Sequence, residues 1–67
     1  MKKQIYFTPG ELRVLKLISK GFQRKKIADK LKRSIHTVDG YIRRLHKITK
    51  THLYSELVAW AILYFYK

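Results

Sequence analysis

The sequence predicts an all-α fold, four helices gathered into one small bundle. Three observations carry that expectation. Period-two alternation of apolar and polar residues is nearly absent. Apolar residues recur instead at intervals of three and four in four successive segments, the spacing that lines one face of a helix. The segments are separated by helix-start and helix-stop residues, with no long loop, linker, repeat or low-complexity tract between them. The chain has 67 residues, room for a single domain over 1–67 and one limited core.

The first helix, about 9–20, opens at Thr8-Pro9-Gly10-Glu11. Thr8 suits the cap, Pro9 the first helical position, and Glu11 is placed to reach back to the Thr8 amide. Phe7 and Leu12 have the spacing of a hydrophobic staple. Val14, Leu15 and Ile18 form the inward face, and Gly21 fits a left-handed stop. The second helix, about 23–31, buries an edge of Ile27, Ala28 and Leu31; small Ala28 allows a neighbour to approach closely. Lys32-Arg33 leaves room only for a tight turn, and Ser34 caps a third helix over about 35–48. There Val38, Tyr41, Ile42 and Leu45 share one face, while His36, Gly40, Arg43 and Lys47 share the opposite one, with Asp39 at its edge. The fourth helix, about 55–66, turns Leu57, Val58, Ala61, Ile62 and Phe65 inward. Trp60, Leu63 and Tyr64 are then left pointing elsewhere, more apolar surface than a lone surface helix needs, and they are expected to meet a partner.

Charge narrows the function. Sixteen Lys and Arg oppose four Asp and Glu, a formal net charge of +12. Most of the basic residues fall between Lys20 and Lys50, opposed there only by Asp29 and Asp39. Such density repels itself and suits a polyanion. A membrane surface would require the basic and apolar stripes on one helix, and they lie on the third and fourth. The apolar run Leu57–Tyr66 has ten residues, too short to span a bilayer. No secretory signal is visible, so a cytoplasmic location is expected. RNA readers present stacking aromatics, whereas here the aromatics avoid the basic face. The absence of cysteine excludes disulfides and thiolate metal sites, and His36, His46 and His52 lack the i, i+4 spacing of a shared helical face. No metal and no cofactor are expected. No nucleophile–base–orienter set is present, and the four acids are scattered, so the chain is not expected to be an enzyme.

Two helices joined by a tight turn, the second with a basic outer face, suggest a helix-turn-helix. The residues Thr8-Pro9-x-Glu11, Val14-Leu15-x-Leu17-Ile18-x-x-Gly21, Lys25-x-Ile27-Ala28-x-x-Leu31, Ser34-x-x-Thr37-Val38, Leu57-Val58 and Ala61-Ile62 resemble, in order and spacing, the LuxR/FixJ-type DNA-binding domain. The resemblance covers about residues 7–63. It implies a four-helix bundle with helices 2 and 3 as the helix-turn-helix, double-stranded DNA as partner, and a role in bacterial transcription regulation. That family forms the output half of many response regulators and of quorum-sensing regulators, so the resemblance also implies an upstream receiver or sensor domain. Carried over by position, it implies base reading by Asp39, Gly40 and Arg43, phosphate contacts from Arg24, Lys25, Thr37, Arg44 and Lys47, and dimerisation through helix 4. The chain departs from the family pattern at Lys26, where an acidic residue is usual, at Arg33, where an apolar one is usual, at Asp39, often lysine, and at Ile48-Thr49-Lys50, where a Lys-Leu-Gly-like end is usual.

The residues themselves refine these roles. Arg43 carries the fork that matches guanine O6 and N7. Asp39 lies four residues before it and either holds the Arg43 guanidinium in an i, i+4 pair, the favoured reading, or accepts from cytosine N4. Gly40 costs about 1 kcal/mol against alanine inside a helix; it either lets the helix sit deeper in the groove or has no role. Neutral His36, near the helix start, is a further phosphate donor or an idle surface residue. Trp60, Leu63 and Tyr64 are expected to form a weak homodimer surface, strengthened on DNA. The alternative is that helix 4 docks the module on RNA polymerase or a receiver domain.

Overall fold

In the computed structural model, which describes residues 6–66, two helices open on side-chain caps and the first three close on residues of positive φ. The elements are α1 (Pro9–Ser19), α2 (Arg24–Leu31), α3 (Ile35–Thr49) and α4 (Tyr54–Tyr66), and no strand occurs among the described residues. At the start of α1 the expected capping box is complete. The Glu11 amide donates to Thr8 Oγ1 at 3.2 Å and the Thr8 amide donates to Glu11 Oε1 at 2.9 Å. At its end, Gly21 has φ +90°. The Gly21 and Phe22 amides donate to the Ile18 and Leu17 carbonyls, the paired bonds of a Schellman stop. Ser34 Oγ accepts the Thr37 amide at 3.1 Å and so caps α3.

Two stops use lysine in the left-handed region, Lys32 at φ 54° and Lys50 at φ 58°. Lys50 stands where the glycine of a Lys-Leu-Gly-like end would fall, and its backbone adopts the conformation that makes glycine usual there. The expected end of α3 at 48 moves to Thr49 for that reason.

The core is formed by Val14, Leu15, Ile18, Ile27, Ala28, Val38, Ile42, Leu45, Leu57 and Ala61, drawn from all four helices. At Gly10 the ring of Tyr41 reaches over α1: a Cβ there would lie 2.5 Å from the Tyr41 hydroxyl, the far end of a side chain that would have to turn aside to admit it. Glu11 is 2% exposed and carries an ion pair between α1 and α3, Arg44 Nε to Glu11 Oε2 at 2.7 Å. That contact joins the cap of the first helix to the middle of the third.

Helix α4 differs from expectation. Its fully buried residues are Leu57 and Ala61, with Val58 and Phe65 half-buried beside them. Ile62, expected inside, is 42% exposed. Trp60, expected on the outer surface, is half-buried against the core, edge-on to Phe7 at 6.0 Å and stacked on Tyr64 at 5.3 Å. The inward axis of the helix runs through Leu57 and Ala61, which turns Trp60 toward the core and Ile62 away from it. No helix among the described residues is long and apolar enough to cross a membrane.

Candidate nucleic-acid interface

The outer face of α3 is built by what its inner face must do. Burial of Val38, Ile42 and Leu45 fixes the rotation of the helix, and at 100° per residue that rotation leaves His36, Gly40, Arg43 and Lys47 exposed. Thr37 is also exposed, its amide and hydroxyl both engaged with Ser34. Arg24 and Lys25, the first two residues of α2, are exposed close to the start of this face, because α2 packs directly on α3.

The expected Asp39–Arg43 pair is not formed. Asp39 is held by Arg24, whose Nη1 lies 2.8 Å from Oδ1 and 2.7 Å from Oδ2. An i, i+4 pair along a helix is worth only a few tenths of a kcal/mol, and the first turn of α2 places a competing guanidinium across the turn on both oxygens. The single acid of the outer face is therefore neutralised from α2, and Arg43 makes no ion pair among the described residues. Arg44 gives its Nε to Glu11, yet its side chain remains 68% exposed, so its terminal nitrogens stay open to solvent.

Gly40 is exposed, and nothing lies within 4 Å of a Cβ placed there. The fold therefore does not require glycine at this position. Gly40→Ala should stabilise the free domain by up to about 1 kcal/mol in a urea titration. If the bare backbone serves close approach to DNA, the same variant binds a duplex more weakly. Greater stability with unchanged binding would leave Gly40 without a role at the interface.

Two groups lie beyond what the sequence indicated. Glu11 reads as a capping residue alone, because nothing local announces Arg44, 33 positions away. Its carboxyl sits below the usual carboxylate range: the Thr8 amide bond is the largest cause, burial opposes it, and Arg44 lowers it further. The second is a hydrogen-bonded chain behind the last turn of α3, joining His46, Thr51 and Thr49. At the start of α4, Glu56 Oε1 accepts the His52 and Leu53 amides at 2.8 and 3.0 Å. These bonds, that to Leu53 first, hold the Glu56 carboxyl below its ordinary value.

Toward its C-terminal end, α4 leaves Ile62, Leu63, Tyr64 and Tyr66 exposed, Leu63 most of all at 65%. Of the three residues expected on a partner surface, Leu63 and Tyr64 are exposed, and Trp60 is half-buried and stacked on Tyr64.

Residues 6–61 match the family described as bacterial regulatory proteins, luxR family. Among similar proteins, Response regulator Rre1 of Synechocystis sp. is 45% identical over 56 residues, covering 84% of this chain and 24% of the relative. Probable transcriptional regulator ycf29 of Cyanophora paradoxa is 44% identical over 59 residues, covering 88% of this chain and 28% of the relative. The chain thus spans about a quarter of the length of these relatives. No solved structure gives a significant match.

Proposed function

Because the chain belongs to the luxR family of bacterial regulatory proteins, we propose that it binds duplex DNA sequence-specifically as a transcription regulator, with α3 seated in the major groove. The observation that carries this reading is the outer face of α3. It offers Arg43 and Lys47 beside a bare Gly40, and the one acid on it is already paired with Arg24. Arg43 is the principal base reader, forking onto guanine. Gly40 admits the backbone toward the base edges. Asp39 keeps lone pairs beyond those used by Arg24 and accepts from a cytosine amino group. Lys25, Arg44, Lys47, Thr37 and the start of α2 at Arg24 engage phosphates, with His36 beside them. A cytoplasmic site of action follows from that role. The two relatives carry further sequence outside the matched part, and a receiver or sensor domain is the partner proposed for this chain on that account.

The exposed stripe of α4 is the proposed contact between two copies on DNA. Burying a large apolar side chain is worth roughly 1.5–3 kcal/mol, and association costs several kcal/mol of lost freedom, so Ile62, Leu63, Tyr64 and Tyr66 support a weak dimer. The high positive charge opposes that dimer until DNA neutralises it. Selection from a randomised duplex pool tests the function. The expected product is a site with two related half-sites, bound cooperatively; enrichment of no sequence would refute specific binding. Leu63→Glu should abolish the cooperativity and spare single half-site binding. Cooperativity that survives Leu63→Glu would assign α4 to another partner, such as RNA polymerase or a receiver domain.

A further inference from the structure

Behind the last turn of α3, an open concavity of about 500 Å³ is lined by Arg43, His46, Lys47, Lys50, Thr51 and His52. It adjoins the outer face of α3, with which it shares Arg43 and Lys47. The hydrogen bonds at its base determine the chemistry of one of its walls. Thr49 Oγ1 donates to the Leu45 carbonyl at 2.8 Å. A hydroxyl has one proton, so Thr49 Oγ1 can only accept in its 2.9 Å contact with Thr51 Oγ1. Thr51 therefore donates to Thr49, and can only accept in its 2.8 Å contact with His46 Nδ1. The proton of neutral His46 is thereby fixed on Nδ1. Its Nε2 has no partner among the described residues and is not a buried orphan, so it opens to solvent.

Resting on the DNA-binding reading, we infer that this concavity is a second, protonation-gated site for a backbone phosphate of the bound duplex, with His46 Nε2 as its gate and Lys47, Lys50 and His52 around it. Neutral His46 presents a lone pair at Nε2, which repels a phosphate oxygen. Protonated His46 presents an N–H at the same point and adds a charge-assisted hydrogen bond. The other two histidines lack this constraint. The rings of His36 and His52 make no hydrogen bond among the described residues, so either can donate to phosphate while neutral by choosing its tautomer. The charged groups facing His46 are Arg43 and Lys47 on α3, Lys50 and His52 in the following turn, and Glu56 on α4, whose carboxylate is already held by two backbone amides. A phosphate arriving among Arg43, Lys47 and Lys50 favours the imidazolium, which couples protonation to DNA binding.

The test is affinity for one fixed duplex at constant ionic strength between pH 8 and pH 5.5, for the wild type and His46→Asn. In His46→Asn the amide nitrogen replaces Nδ1 as donor to Thr51 and the titrating nitrogen is gone. The wild type should tighten roughly five- to tenfold as pH falls, the effect of a shift of about one pKa unit on binding, and His46→Asn should lose most of that gain. A flat wild-type profile, or a profile retained by His46→Asn, overturns the phosphate gate while leaving DNA binding in place. No wild-type binding at any pH overturns both readings together. Imidazole NMR of the wild type gives a check that needs no variant. At high pH His46 should carry its proton on Nδ1, and duplex should raise its titration midpoint by about one unit. An Nε2–H tautomer, or an unmoved midpoint, contradicts the inference.

Discussion

Glu11→Ala should cost this domain about 2–4 kcal/mol, much of the stability a core this small supplies. The side chain is 2% exposed, and each carboxylate oxygen has its own partner, the Thr8 amide on one and Arg44 Nε on the other. Loss of the cap is worth about 1 kcal/mol, and hydrogen bonds to a charged group about 1.5–3 kcal/mol. The same change frees α3 from α1 at Arg44, so the recognition helix loses an anchor along with the fold. Glu11→Gln should fall between wild type and Glu11→Ala, since the amide oxygen still serves Thr8 and the amide nitrogen cannot accept from Arg44. Urea midpoints rank the three proteins, and equal midpoints would mean that the α1–α3 tie contributes nothing. The pH dependence has a defined sign. In the folded protein Glu11 and Glu56 both titrate below the ordinary glutamate value of 4.5. Their contribution is complete above that value and is lost as pH falls through the lowered folded values, so the wild type loses stability in acid. Glu11→Gln should lose less over the same interval.

Arg43→Ala and Lys25→Ala should separate base reading from phosphate contact. Arg43 is exposed, free of Asp39 because Arg24 holds that carboxylate, and aligned with Gly40 and Lys47 on the outer face of α3. Its loss should cost about 1–3 kcal/mol on the selected site and relax the preference at one or two base pairs. Lys25 stands on the first turn of α2, off α3 itself and beside the start of that face, and its loss should weaken selected and random duplexes alike. Binding isotherms on both kinds of duplex decide the matter. Equal weakening by Arg43→Ala on the two would reduce Arg43 to a phosphate contact.

Where the sequence was decisive, the forces are local. The Thr8–Glu11 box, the Gly21 stop, the Ser34 cap and the inward stripe of Val38, Ile42 and Leu45 each depend on residues within a few positions of one another, and the helices begin and end within about two residues of expectation. What escaped was set by tertiary geometry. Asp39 has a plausible partner four residues away, and the one it takes is 15 residues away on another helix. Arg44 similarly turns to Glu11 across the bundle. In α4 nearly every position is apolar, so periodicity gives little sense of rotation. Trp60 and Ile62 exchanged places relative to expectation because packing against Phe7 and the core decides which side of a uniformly apolar helix is buried. The His46–Thr51–Thr49 chain depends on how the left-handed turn at Lys50 folds Thr51 back toward α3, a geometry with no sequence spacing of its own.

The salt dependence of duplex binding is the most direct test of the central claim. Lys25, Arg44 and Lys47 are exposed cations at the proposed interface, and Arg24 adds a fourth partly spent on Asp39. Each phosphate neutralised contributes a slope of roughly 0.9 in log K against log salt. Titrations of one duplex at several salt concentrations should therefore give a slope of about −3 to −4. A slope near zero would contradict the assignment of this face to DNA.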